Sequence, residues 1–241
     1  MKAVLTFHSI DDSGGILSFP VENFCRLIES IVQSGVVVCS LSELLNCTAE
    51  DAVSLTFDDG MKSIHQHALP VLRRYNLPAH IFLTTGFVGH TNSWPTQPLG
   101  SDVHEMLSWD EVLDCFKSGF SIDSHTVSHP FLSRLSHDEI MEEMSKANDT
   151  IRSRTGIPPV HFAYPYGDYN RNVIEAAETL YSTSCTTRLS YAPLAPNQHM
   201  IPRIDTYYLK GVGCRYPLFG SFMRSYISLR GAMRVLRERI T

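Results

Sequence analysis

Ala52-Val53-Ser54-Leu55-Thr56-Phe57-Asp58-Asp59-Gly60 is a short, mostly apolar run that ends in two adjacent carboxylates and a glycine. A run of this length, closed by a turn, reads as a strand buried on both faces. Such strands belong to parallel sheets covered by helices. Gly60 permits a tight turn. Adjacent turn residues point in different directions, so one carboxylate can bind a cation while the other stays free as a base. Standing alone, the same residues would serve equally well as an acidic turn or a helix cap.

Working outward, the same grammar repeats. Upstream lie a strand at Ala3–Phe7 and a helix at Val21–Val32, with Phe24, Cys25, Leu27, Ile28, Ile31 and Val32 at helical spacing. Gly35 stops that helix, a strand occupies Val36–Cys39, and Ser40 or Ser42 caps a turn carrying Leu44 and Leu45. Downstream, a helix at Ile64–Tyr75 leads to a strand at Ala79–Thr84 and then a long irregular stretch, Gly86–Ser108. Loops of that length in compact domains are usually functional or mobile. The pattern continues with a helix at Trp109–Lys117, a strand at Phe120–Asp123, and a helix from Asp138 to about Arg154 capped near Ser136. It closes with a strand at Val160–Tyr164, a helix at Arg171–Leu180, and strands at Ser182–Cys185 and Ile201–Ile204. Strand–helix alternation with right-handed crossovers gives a parallel α/β sheet. Six or seven repeats suggest a closed or nearly closed (β/α) barrel, with an open doubly wound sheet as the alternative. In both, the active site lies at the carboxyl ends of the strands.

Composition agrees with a single large core over residues 1–241: 43% of residues are hydrophobic and 19% charged. The net charge of −5 excludes a general nucleic-acid binder, which needs a basic face for phosphates. The six cysteines (Cys25, Cys39, Cys47, Cys115, Cys185 and Cys214) contain no CxxC spacing and read as reduced thiols. No run is apolar enough to span a membrane, and the N-terminus lacks the pattern of a signal peptide, so the chain as given reads as cytoplasmic.

Two more clusters follow strands. Ser124-His125-Thr126-Val127-Ser128-His129-Pro130 places two histidines four apart. On a helical turn they would share a face and bind one ion. Phe162-Ala163-Tyr164-Pro165-Tyr166-Gly167 reads either as a Pro/Gly turn or as a groove wall with backbone N–H groups facing a ligand. One Asp and two His leave a coordination position for water, as in catalytic zinc sites. A metal there lowers the pKa of its water from about 15.7 towards 7, and a neighbouring carboxylate takes the proton. Asp58 suits the base and Asp59 the ligand, although spacing alone leaves the reverse open. The other histidines, His65, His67, His80, His90, His104, His137, His161 and His199, read as surface or core residues.

Together these clusters resemble the polysaccharide deacetylases, the NodB-homology carbohydrate esterases of family 4 type. Thr56–Gly60 is similar to the first motif, His125 to His129 to the second (H-[ST]-x-x-H), and Pro165-Tyr166-Gly167 to the end of the third (R-x-P-[FY]-G). Ser108-Trp109-Asp110 and Gly119-Phe120 resemble the family's lead-in to the second motif. The resemblance covers most of residues 1–205. It implies a distorted (β/α) barrel of about seven parallel strands, with Asp58 as general base. Asp59, His125 and His129 become ligands of a divalent metal, most often zinc, with cobalt or nickel in some members. It also implies an oxyanion donor in the Tyr166 N–H and an N-acetylated sugar as substrate, with Pro165 and Tyr166 placed for substrate contact. Trp94, in the long loop, reads equally as a stacking surface for that substrate or as packing that holds the loop down.

The chain departs from the family pattern twice. The motif arginine expected at position 163 is Ala163, and Arg203, in Ile201-Pro202-Arg203-Ile204, is the candidate replacement. The C-terminal L-x-H motif that normally carries the general acid is missing, but Leu5-Thr6-Phe7-His8 has related form at the N-terminus. First and last barrel strands are neighbours, so this order is similar to the circularly permuted poly-N-acetylglucosamine deacetylases. It makes His8 the acid, with Asp11 and Asp12 as possible orienting groups.

Three other readings compete. Two His and one carboxylate can hold Fe(II) for oxygen chemistry, but the second carboxylate would be idle. Relatives on the same scaffold hydrolyse non-sugar amides, imides or ureides, a reading the missing arginine keeps open. A catalytically degenerate carbohydrate-binding relative is disfavoured by the complete set of base, ligands and acid. Finally, residues 210–241 carry seven Lys/Arg, including Lys210, Arg215 and Arg239, against one acid, Glu238, interleaved with apolar residues such as Ile240. This segment reads as a last barrel helix with a basic face. A sharper reading makes it a peripheral contact to an anionic membrane surface or a lipid-linked glycan.

Overall fold

The computed structural model describes residues 1–193 and 195–238, with the side chain of Glu238 excepted. Arg239 and Ile240, part of the basic segment, lie outside the described residues.

The strands are β1 (Lys2–Phe7), β2 (Ser9–Ile10), β3 (Ser18–Phe19), β4 (Val37–Val38), β5 (Ala52–Phe57), β6 (Ala79–Leu83), β7 (Phe120–Ser124), β8 (His161–Ala163), β9 (Thr183–Leu189) and β10 (Ile201–Asp205). The helices are α1 (Val21–Gln33), α2 (Leu41–Asn46), α3 (Leu69–Arg74), α4 (Trp109–Lys117), α5 (His137–Thr155), α6 (Arg171–Leu180) and α7 (Ser221–Glu238). Seven strands form a closed, all-parallel ring, β1-β10-β9-β8-β7-β6-β5, shut by pairing of β1 with β5 from Lys2↔Ala52 to Phe7↔Phe57. This is a distorted (β/α) barrel, and the open doubly wound sheet is excluded. The two-residue β4 pairs only with the start of β5, and β2 and β3 form a separate small pair.

Side-chain alternation explains the two layers. Ala3, Leu5 and Phe7 on β1, with Val53, Leu55 and Phe57 on β5, join the buried outer layer with Phe24, Leu27, Ile28 and Ile31 of α1. The alternate residues meet on the barrel axis: Val4, Ala52, Phe82, Ala163, Cys185 and Ile201 come from six strands and form one cluster. Leu41 and Leu44 of α2 plug the lower end of that axis. Ser40, Ser108 and Ser136 each form a capping box with a glutamate three residues on, which fixes the starts of α2, α4 and α5.

Several elements differ from expectation. Ile64–Tyr75 is not one regular helix: a π turn at Ile64–Ala68 precedes α3, because Pro70 has no N–H to donate into a continuous ladder. Strand β9 runs to Leu189, well past Cys185, through polar residues that face cavities. All six cysteines are free, and burial pushes the thiols of Cys39, Cys115 and Cys185 up to about 12. Helix α7 buries Met223 and Ile227 and leaves Leu229, Met233 and Leu236 exposed.

Candidate active site

The three clusters and two isolated residues converge at the carboxyl ends of the strands. Asp58 and Asp59 follow β5, His125 follows β7, Tyr166 follows β8, His8 follows β1, and Arg203 projects from β10. The backbone there is unusual. Of five non-glycine residues at positive φ among those described, four are Asp59 (69°), Thr126 (68°), His129 (55°) and Tyr166 (58°). Such conformations cost energy and persist where the surroundings over-determine them, commonly at functional sites. They also correct one expectation. His125 and His129 do not lie on a helical turn; an irregular loop brings their rings together, 4.8 Å apart.

Asp59 Oδ1 lies 3.4 Å from His125 Nε2 and 3.3 Å from His129 Nε2. All three residues are buried, and Asp59 Oδ1 has no close hydrogen-bond partner. His125 Nδ1 lies 2.7 Å from the carbonyl of Ala163. A carbonyl only accepts, so Nδ1 carries the proton and Nε2 presents its lone pair to Asp59. An unsatisfied carboxylate oxygen facing two imidazole nitrogens is a donor set that fits a divalent cation such as zinc. Burial raises the Asp59 carboxyl, but His125 and His129 more than offset it and hold it well below the usual range. Burial also holds His129 below the ordinary imidazole value, favouring the neutral, ligand-competent form.

Arg203 is 2% exposed and grips Asp58 with both guanidinium nitrogens, Nη1–Oδ1 at 2.6 Å and Nη2–Oδ2 at 2.7 Å. Its Nε donates to the Thr186 carbonyl at 3.1 Å. Burial pushes Asp58 up, while Arg203 pulls it down further, leaving the carboxyl below the usual range and ionised. Arg203 therefore reaches Asp58 from β10, a different strand from the one that carries Ala163.

His8 shares a pocket of about 340 Å³ with Asp58, Asp59, His125, His129 and Tyr166. Asp11 and Asp12 do not orient it. Asp11 is engaged by Ser9 and by the N–H of Ser13, and Asp12 accepts from the N–H of Val21. Pro165 and Tyr166 lie in a single 3-10 turn; Pro165 has no N–H and the Gly167 N–H donates to the Tyr164 carbonyl at 2.8 Å, so Tyr166 carries the leading N–H of the turn.

Of its two readings, Trp94 takes the packing one. It is 3% exposed, stacks on His129 at 4.3 Å, and donates from Nε1 to the Tyr166 hydroxyl at 2.9 Å. Thr96 Oγ1 donates to the His129 carbonyl at 2.7 Å. The long loop thus braces one histidine, while its Gln97–Asp102 part and Ile16–Leu17 wall the pocket.

Sequence reasoning missed Glu143 altogether. From α5 it accepts the N–H groups of Val127 and Ser128 at 2.9 Å each and the Ser128 hydroxyl at 2.7 Å, pinning the loop between the two histidines. A glutamate on a long amphipathic helix carries no local sign of that task. His80 and His161 are core residues, one of the two readings their sequence context offered. With Asp123 they form a second buried group inside the barrel. There every ring nitrogen is engaged: His80 by Asp123 and the Leu41 N–H, His161 by Thr183 and Ser42. That network ties the α2 plug to the barrel.

The family model for polysaccharide deacetylases matches residues 45–183, more than half of the chain, and the chain belongs to that family. Membership places it among hydrolases acting on carbon–nitrogen bonds. YxkH of Bacillus subtilis is 26% identical over 229 residues, covering 92% of this chain and 76% of that protein. A poly-beta-1,6-N-acetyl-D-glucosamine N-deacetylase of Staphylococcus aureus is 29% identical over 167 residues, 64% of this chain, and the match spans only 53% of that relative. In fold, the chain is similar to the deacetylase PplD of Streptococcus pyogenes (TM-score 0.72, 24% identity, 84% of this chain and 91% of that one). It is also similar to IcaB of Ammonifex degensii (TM-score 0.74, 21% identity, 89% and 97%). His8 and Arg203 fall outside the matched segment, so their assignment rests on geometry.

Proposed function

We propose that the chain is a metal-dependent N-deacetylase that removes acetyl groups from an amino sugar within a glycan or glycoconjugate, releasing acetate. The observation that carries this reading is the buried, unsatisfied Asp59 Oδ1 facing two imidazole nitrogens beside an ionised Asp58. Asp59, His125 and His129 would hold a divalent ion, zinc by donor chemistry, and that ion would supply Lewis acidity towards the acetyl carbonyl and a more acidic water.

The chain's own residues supply the rest. Asp58, held ionised and oriented by Arg203, takes a proton from the attacking water. The Tyr166 N–H faces the developing oxyanion, a contribution of about 3 kcal/mol to the barrier for one well-placed donor. His8, on the same pocket wall, gives a proton to the departing nitrogen, so the amine leaves neutral. The case for a non-sugar amide rested on the missing motif arginine, and Arg203 now meets Asp58 in its place.

The test is acetate release by zinc-loaded protein from N-acetylglucosamine oligomers and nucleotide-linked N-acetyl sugars, with Asp58→Asn and His8→Ala alongside. The reading expects release that falls at least a hundredfold in Asp58→Asn. No release by protein shown to hold its metal would overturn the sugar assignment.

A further inference from the structure

Helix α7 carries two apolar faces, and the barrel covers one of them. Met223 and Ile227 are buried, and a Cβ at Gly231 would sit 2.5 Å from the Leu189 carbonyl, so residues four apart mark the inner face. Phe222, Tyr226, Leu229, Met233 and Leu236 recur at alternating spacings of four and three, which gathers them in one stripe about 140° around the helix from that face. Phe222 is 46% exposed, Leu229 62%, Met233 49% and Leu236 61%. Tyr216, just before the helix, stacks on Phe222 at 4.0 Å and extends the stripe. Arg230 and Arg237 border one edge, with the Arg230 guanidinium 5.3 Å from the centre of the Tyr226 ring. Ser225 and Ala232 border the other edge. The seven Lys/Arg of residues 210–241 face a single acid in a chain whose net charge is −5, so positive charge is concentrated in this segment.

We propose that this outer face of α7 docks on an anionic lipid surface, with the helix lying in the plane of the headgroups. No helix among the described residues is long and apolar enough to cross a membrane. Helix α7 has instead the build of an interfacial helix, an aromatic and aliphatic stripe bordered by arginine. A contiguous apolar surface left in water marks an interaction site. On a bilayer the stripe enters the boundary between headgroups and acyl chains, while arginine stems run alongside and their guanidinium groups stay with lipid phosphates. Charge decides between the occupants that such a stripe could take. A second copy of α7 offers no carboxylate before Glu238 to meet Arg230, whereas anionic headgroups present a continuous layer of negative charge. This contact is independent of the chemistry at the metal pocket, and binding alone tests it.

The experiment is flotation of the full chain with vesicles of phosphatidylcholine alone and of phosphatidylcholine mixed with phosphatidylglycerol, at low and high salt. The wild type should float with the anionic vesicles at low salt, less at high salt, and remain unbound with phosphatidylcholine alone. Leu229→Ser/Leu236→Ser removes the centre of the stripe and should abolish flotation. Arg215→Gln and Arg230→Gln, both at exposed positions, should each weaken binding about fivefold. Ile157→Ser, an exposed apolar side chain away from α7, serves as the control and should float like the wild type. Melting curves show that each variant is folded; if the double serine variant is not, the two arginine variants carry the test. No flotation of the wild type with anionic vesicles at low salt overturns the proposal. So does equal flotation of the wild type and the folded stripe variant, or an equal loss in Ile157→Ser. Light scattering on the same preparations supplies one more refutation: a wild-type dimer that the stripe variant reduces to monomer would give the face to a second copy of the chain.

Discussion

Replacing Arg203 with Met keeps the bulk of the side chain and removes its charge. It deletes two charge-assisted hydrogen bonds to Asp58, at 2.6 and 2.7 Å, and the bond to the Thr186 carbonyl. Asp58 and Arg203 are both buried, so the carboxylate left behind loses its charge partner and meets little water to replace it. Breaking such a pair costs about 3–5 kcal/mol. At roughly 2–4 °C per kcal/mol for a domain of this size, the melting temperature should fall by about 10 °C. Turnover should drop at least a hundredfold, because the base loses both its orientation and its ionised state. The metal content should stay at the wild-type level, since Arg203 touches none of Asp59, His125 or His129. The double variant Asp58→Asn/Arg203→Met removes the buried charge together with its partner and should recover most of the lost stability while staying inactive. Calorimetry, metal analysis and acetate release on the same preparations decide the matter. Wild-type turnover in Arg203→Met would refute the reasoning, as would a double variant no more stable than the single one.

Two further outcomes follow from the same geometry. Glu143→Ala releases the Val127 and Ser128 amides that fix the histidine loop, so zinc affinity should weaken about 10- to 100-fold in a competition titration against a chromophoric chelator; unchanged affinity in a folded variant would show that the loop holds its own shape. Burial pushes His161 down to about 4 from an ordinary 6.5, so the unfolded chain binds its proton first as pH falls. Stability should therefore be full above pH 6.5 and decline towards pH 4, by about 3 kcal/mol at about 1.4 kcal/mol per pH unit. Urea midpoints across that window should flatten in His161→Gln, and an equal slope in that variant would assign the loss to another group.

The parallel α/β pattern and the residues gathered at the strand ends were legible because they are local. Buried strands announce themselves by apolar runs, helices by period and serine caps, and the motif at Asp58–Asp59 by its place at a strand end. Helix ends at α4 and α6 fell where expected for the same reason. The irregular backbone at Thr126 and His129 was not legible, since it is held by Glu143, Thr96 and Trp94 from distant segments.

What the sequence determined by itself was the alternation of strands and helices and the identity of the groups at the strand ends, both set by residue type and spacing along the chain. Only the tertiary structure decided that the sheet closes through β1 and β5, that Arg203 reaches Asp58 across 145 positions, and that His8 shares their pocket. The physical reason is common to all three. Periodicity fixes which face of an element is buried, but only barrel closure fixes which strands become neighbours, and charge pairing acts between neighbours in space.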